Sequence, residues 1–295
     1  DLTIKLQGEV DVSVQHVPWQ MLAQRREANL RYIPTDLEGQ IDLVEYERMF
    51  NQRTRLVAIT HMSNVLGVIA PIADLIQVAH AHDVPVLVDG AQSVPHLEIN
   101  VEQTDVDFLA FSGHKMRAPT GIGVLYGKES LLDAMEPLFG GGGMINVVDL
   151  QHSTWTGLPE KFEGGTPDIA GAIGLGAAID YVSGLGFDQI TAYEEELLHY
   201  GTEALESIDG VQIIGTATDK AGILSFVMDA AHPHDIGTIL DEQGIAIRTG
   251  HHCAQPVMQR FQIPATARAS LAFYNTKEDI DALVKGIDRV IEVFS

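Results

Sequence analysis

Three apolar runs of strand length in the first half of the chain each stop on polar side chains. Arg55-Leu-Val-Ala-Ile-Thr-His61 runs into Ser63-Asn64, Val84-Pro-Val-Leu-Val88 into Asp89-Gly90, and Asp105-Val-Asp-Phe-Leu-Ala-Phe111 into Ser112-Gly-His-Lys115. Helical patterns over 42–51 and 71–82 precede the first two runs, and strand–helix alternation of this kind predicts a mostly parallel sheet covered by helices on both faces. Ligands of such sheets bind outside the carboxyl ends of the strands. Asn64, Asp89, Gln92, Ser112, His114 and Lys115 all fall at or just past those ends. One edge of an α/β sheet thus carries the first candidate residues.

The rest of the chain is read around that sheet. Residues 4–14 alternate loosely as a strand. Pro18 is placed at the start of a helix reaching about Ala28, since proline suits a first helical turn. Leu30–Ile33 reads as a strand, and a turn at 118–121 leads into another. The glycine run 140–143 reads as a flexible loop, and 144–166 has loop character throughout. Helices follow from Asp168 to about Ser183 and over 187–207. Beyond them strands are expected at 211–215, 222–228, 245–249 and 267–273, and helices at 235–243, 256–261 and 277–294. The expected division is a large domain over 1–165, and a linking helix with a smaller α/β domain over 166–295.

Charge narrows the partners. Forty-one acidic against eighteen basic residues give a formal charge of −23, which disfavours nucleic acid and anionic membranes. No run of about eighteen apolar residues suggests a membrane span. The chain opens on Asp1-Leu-Thr-Ile-Lys5 without a signal-peptide pattern, and its opening without Met leads us to expect a fragment or a processed chain. Its single cysteine, Cys253, rules out an internal disulfide and fits a reducing, cytoplasmic compartment.

The residue chemistry leaves alternatives open. Lys115, at the mouth of a strand, is either a surface lysine in a turn or an amine whose surroundings lower its pKa enough for Schiff-base chemistry. Asp89 is a turn aspartate, or a buried carboxylate that needs a cationic partner. His114 is a phosphate donor or a packed histidine. The four glycines form a mobile loop sooner than a phosphate cradle, because no G-x-G-x-x-G or Walker pattern surrounds them. Cys253 lies in Arg248-Thr-Gly-His-His-Cys-Ala-Gln-Pro256, where an arginine and two histidines would favour the thiolate. Adjacent histidines rarely point at one ion and a fourth ligand is missing, so no metal is expected.

Taken together, these segments resemble the class V aminotransferase-like pyridoxal phosphate enzymes, closest to the SUF-type cysteine desulfurase/selenocysteine lyase branch. His61-Met-Ser-Asn-Val-Leu-Gly67, Val88-Asp-Gly-Ala-Gln92, Ser112-Gly-His-Lys115, the Arg248–Pro256 stretch and Arg268-Ala-Ser-Leu-Ala-Phe-Tyr-Asn-Thr276 carry the resemblance. They span roughly 17–295 in the family's order. The resemblance implies a type I PLP-dependent transferase fold and the conversion of L-cysteine to L-alanine. Lys115 would hold pyridoxal 5′-phosphate (PLP), and Asp89 would pair with its ring nitrogen. Asn64 and Gln92 would contact the ring's phenolic oxygen, Asn64 also facing the substrate. Ser112 and His114 would bind the phosphate, joined by Thr166 from across a homodimer. Arg268 would clamp the substrate carboxylate, and Cys253 would take the sulfur as a persulfide. A SUF-type acceptor protein would then carry it to iron–sulfur cluster assembly.

Two departures accompany the resemblance. The family's upstream segment, with a Gly-Thr-Thr loop that binds phosphate, has no counterpart here. Val12 and Ser13 also stand where the family has a His-His pair whose histidine stacks on the cofactor ring, and His16 is out of register with it. A selenocysteine lyase, another class V lyase, or an inactive scaffold are the alternative expectations.

Overall fold

A computed structural model describes residues 3–7 and 13–294, and side chains are described at residue 3 and from residue 16 onward. The first sheet has six strands. They are β1 (Thr3–Gln7), β2 (Asn29–Ile33), β3 (Thr54–Thr60), β4 (Val86–Asp89), β5 (Phe108–Ser112) and β6 (Gly123–Gly127), in the order β2-β1-β3-β4-β5-β6. All neighbours pair in parallel except β5 and β6. Interleaved with them are α1 (Ser13–Arg26), α2 (Leu43–Arg48), α3 (Ile72–His80) and α4 (Val101–Thr104), with α5 (Glu129–Ala134) after β6.

The central parallel strands hold together through a large buried cluster under α3 and a smaller one on the other face, where Ala58 packs with Trp19 and Leu87. Val57, Ile59, Val86, Val88 and Leu109 pack against Leu75, Ile76 and Ala79 of α3 in one buried cluster, which explains their near-continuous apolar composition. The helices start where side chains satisfy free amides. Asp42 accepts from the backbone amides of Val44 and Glu45, and Asn100 from those of Glu102 and Gln103. At the amino ends of the central strands Asp107 is the organising group. It accepts from the Val86 amide at 2.7 Å and His80 Nε2 at 2.8 Å, and it pairs with Lys128 at 2.9 Å. That locks β4 beside β5 at the edge opposite the candidate residues.

Helix α6 (Ile169–Leu185) turns sharply at Gly186 into α7 (Phe187–Glu206). A second sheet of β9 (Val211–Ile214), β10 (Ile223–Met228), β11 (Arg248–Gly250) and β12 (Thr266–Ser270) is antiparallel throughout, in the order β11-β12-β10-β9. Its helices are α8 (Pro233–Asp241), α9 (Gln255–Phe261) and α10 (Lys277–Phe294). Leu197, Phe226, Ile236, Leu240, Ile287 and Val290 anchor its core. A third cluster joins the two sheets: Val65, Leu66 and Val68 pack on Ile214, Val257 and Met258, and Ser225 Oγ donates to the Val65 carbonyl at 2.6 Å. This contact carries Asn64 and Cys253 into one place.

Two expectations are corrected. Residues 144–166 are not loop throughout, because Ile145–Val148 (β7) and Ser153–Trp155 (β8) form an antiparallel hairpin. Its strand residues lie mostly at the surface, so no inward–outward alternation marks them. Pro18 does not open α1 but lies inside it. Only one intrahelical hydrogen bond is forfeited there, and the helix runs on for two further turns. Among the described residues no single helix is long and apolar enough to cross a membrane.

Candidate active site

The turn after β5 presents Lys115. Gly113 opens it, and a Cβ there would meet Ile122 Cγ2 at 2.6 Å, so only glycine lets the chain pass the β6 entry this closely. A short 3-10 turn over Gly113–Met116 follows and ends at Arg117 in the left-handed region, φ 67°. Lys115 is half-buried, and that burial lowers its pKa. Asp89, at the end of β4, opposes the shift, while Arg268 and Arg248 reinforce it. An amine in this setting sheds its proton more readily than a surface lysine. Beside it, Ser112 Oγ and His114 Nδ1 form a 2.7 Å hydrogen bond.

From the second sheet comes the other wall. His252 and Cys253 stand consecutively in the left-handed region, φ 52° and 59°, a conformation costing non-glycine residues on the order of 1–3 kcal/mol each. It sends the two side chains apart. His252 is buried and makes contacts of 2.8 Å to Thr266 Oγ1 and 3.1 Å to the Thr266 carbonyl. Burial and the neighbouring Arg268 push its pKa to about 4, so it is neutral and does not promote a thiolate as the sequence suggested. Cys253 instead faces solvent, with Arg248 Nη2 donating to its sulfur at 3.6 Å.

Asn64 and Arg268 join the walls. Asn64 donates through Nδ2 to the His252 carbonyl at 2.7 Å, and Arg268 Nη1 donates to the Asn64 carbonyl at 2.6 Å. Burial lowers Arg268 to about 10, which leaves it charged at neutral pH. Asn64, Gln92, His114, Lys115, Cys253 and Arg268 line one cavity of about 450 Å³. Asp89 and Ser112 lie behind that lining and act on it through Lys115 and His114. Thr166 sits in an exposed loop and is not on the cavity wall of its own chain. Val12 lies outside the described residues. Ser13 opens α1, and His16 packs on Tyr32 with ring centroids 5.4 Å apart.

Among the cavity residues that the sequence reading gave no role are His96, Arg117 and Tyr274. His96, one turn beyond Gln92, contacts the buried Glu194 of α7 through Nδ1 at 2.7 Å. Arg117 and Tyr274 also line the cavity. Only the register of helix α7 against the first sheet could have signalled the first pair, since its members are ninety-eight positions apart.

The residues present fit PLP. The Asn64 Oδ1 acceptor and the Arg268 Nε donor are buried without a partner among the described residues, an arrangement that costs free energy until a polar ligand meets them. A half-buried lysine backed by Asp89, and a charged guanidinium across the same cavity, suit an aldehyde cofactor and a substrate carboxylate.

Comparison with known proteins gives the same direction. Residues 6–283 match the aminotransferase class-V family. A probable cysteine desulfurase of Halalkalibacterium halodurans is 51% identical over 278 residues, which cover 94% of this chain and 68% of the relative. The crystal structure of the Escherichia coli cysteine desulfurase CsdA, in an S-sulfonic acid form, superposes with a TM-score of 0.95 at 38% identity, covering 100% of this chain and 73% of that one. A lysine-to-alanine mutant of C-DES, with glycine covalently linked to its PLP cofactor, aligns at 25% identity and a TM-score of 0.85, over 100% and 75% of the two chains.

Proposed function

The chain belongs to the aminotransferase class-V family, and we propose that within it the chain is a PLP-dependent cysteine desulfurase. The observation that carries this reading is the meeting of Lys115, Arg268 and the exposed Cys253 in one cavity. PLP, when bound, supplies an electron sink for charge that develops on the amino acid's carbons. Lys115 holds the cofactor and moves protons at those carbons, a task helped by its lowered pKa. Asp89, whose charge acts on Lys115, would pair with the cofactor's ring nitrogen. Asn64 and Gln92 orient the ring, and Ser112 and His114 receive the phosphate. Arg268 takes the substrate carboxylate.

The sulfur step balances on Cys253. Its Sγ attacks the sulfur of L-cysteine, an S–S bond forms, and the substrate's Cβ–S bond breaks with the electron pair staying on carbon. A proton delivered to that carbon completes L-alanine, and Cys253 retains the persulfide. The Arg248 guanidinium donates to Sγ at 3.6 Å and steadies the sulfur's position. Because Cys253 is exposed, its persulfide is within reach of an acceptor protein.

The same proposal includes a SUF-type acceptor feeding iron–sulfur cluster assembly, and a cytoplasmic location suited to a free, exposed thiol. It also includes a homodimer in which Thr166 serves the cavity of the partner subunit. Exposed Leu138, Phe139, Val147, Val148 and Leu150 support that last element, since large apolar side chains left exposed in number are characteristic of interfaces. The test is an absorbance scan of purified chain with added PLP, followed by L-cysteine and an alanine assay. A visible band with stoichiometric alanine and sulfide is expected with a reductant present. A band that forms without alanine release overturns the reading.

A further inference from the structure

Arg117 joins two stretches of chain that the site needs in fixed relation. Its Nη1 donates to the Lys115 carbonyl at 2.6 Å. Its guanidinium carbon also lies 5.3 Å from the centre of the Phe273 ring and 5.1 Å from that of Tyr274, within the range of cation–π attraction. The two rings meet edge to face at 5.3 Å and 78°, and Tyr181 of α6 leans on Phe273 from 6.3 Å. The backbone is committed to this arrangement: Arg117 is left-handed, and its amide and that of Ala118 both donate to the Gly113 carbonyl. Phe273 and Tyr274 follow β12, the strand that carries Arg268, and the Ala272 amide donating to Asn275 Oδ1 at 3.0 Å holds their turn. Arg117 and Tyr274 both line the cavity.

We propose that Arg117 is a positioning residue: clamped between two aromatic faces and the Lys115 carbonyl, it fixes the lysine-bearing turn against the strand that presents Arg268. Guanidinium is the side chain for this task, because its plane stacks on rings while its edge donates a hydrogen bond. The inference rests on the role given to Lys115 above.

Hydrogen exchange on the purified chain, measured without cofactor, reads the clamp apart from catalysis. The reporters are the amides of residues 117 and 118. Arg117→Ala and Tyr274→Ala should each speed their exchange about fivefold or more, while β3 and β4 amides stay unchanged. The double variant should exchange within about twofold of the faster single one, because both substitutions break one contact. Tyr274→Phe, which keeps the ring, should restore the parental rate. With PLP and L-cysteine, each alanine variant should lower kcat about five- to tenfold with little change in KM. Unchanged exchange at 117 and 118, additive effects in the double variant, or a Tyr274→Phe variant as fast as Tyr274→Ala overturns the clamp. Absence of alanine from the parental chain would instead count against the proposed function, and the exchange comparison would still decide the clamp.

Discussion

Two lysines of this chain are driven toward their neutral form by burial, and they differ in everything else. Lys115 shares its cavity with Arg268 and Cys253 and has Asp89 close by. Lys220 lines a larger cavity, about 620 Å³, under α7, where burial lowers its pKa to about 8. Its amine donates to the Gly215 carbonyl at 2.6 Å, and the principal charge acting on it is Glu206. A depressed lysine in a roomy cavity is therefore common to both places. Convergence is not: of the two, only the surroundings of Lys115 gather a carboxylate, a guanidinium and a thiol from distant parts of the chain. Convergence, more than burial or cavity size, marks the site.

The largest expected effect breaks the comparison at its centre. Lys115→Ala should lower alanine formation by roughly 10²–10⁴-fold and remove the visible band of the PLP-loaded protein, while Lys220→Met leaves both intact. A spectrophotometric titration alongside the alanine assay checks this, and a Lys220 variant that loses the band would sink the contrast. Next comes Cys253→Ala, which should keep the band and form no persulfide detectable by mass spectrometry. Desulfuration at the parental rate in that variant would refute the sulfur step. Arg268→Lys keeps the charge but loses the planar fork. With hydrogen bonds to charged groups worth about 1.5–3 kcal/mol, KM for L-cysteine should rise roughly ten- to a hundredfold. The handling of cysteamine, which lacks the carboxylate, should barely change.

Much of this convergence was legible in the chain itself, for a physical reason. The strands β3, β4 and β5 are short apolar runs that lead to Asn64, Asp89 and Lys115 at or just past their ends, and a parallel sheet brings such ends to one edge. Cys253 was visible as a polar turn, yet the inward rotation of His252 was not, because it depends on Thr266 fourteen residues later. The β7–β8 hairpin stayed hidden since its exposed strands bury no face. Arg117 drew no assignment from the sequence. Its aromatic partners are more than 150 positions away, and side-chain stacking across that separation leaves no periodicity to read. Local pattern showed where the strands stop, and long-range packing decided which side chains meet.

The smallest expected effect concerns Lys220 and would sharpen the contrast from the other side. If Lys220 serves no chemistry, its burial is simply a cost carried by the native state. Its folded pKa of about 8 lies below the 10.5 of an unperturbed lysine. Below pH 8 both folded and unfolded chains carry the charge, and the folded one bears the full desolvation penalty. Between about pH 8 and 10.5 the unfolded chain binds the extra proton, so the parental chain gains stability as pH rises. Lys220→Met keeps the volume and removes the charge. It also leaves the Gly215 carbonyl without its donor, which offsets part of the gain. The net increase should be on the order of 1 kcal/mol at pH 7, and should fall and turn negative as the pH climbs toward 10, where the lost Gly215 hydrogen bond is all that remains. Urea unfolding across that range checks the sign. A variant that is less stable at pH 7, or whose advantage grows with pH, would show that the Lys220 ammonium stabilises its cavity, and the two lysines would then differ less than their surroundings imply.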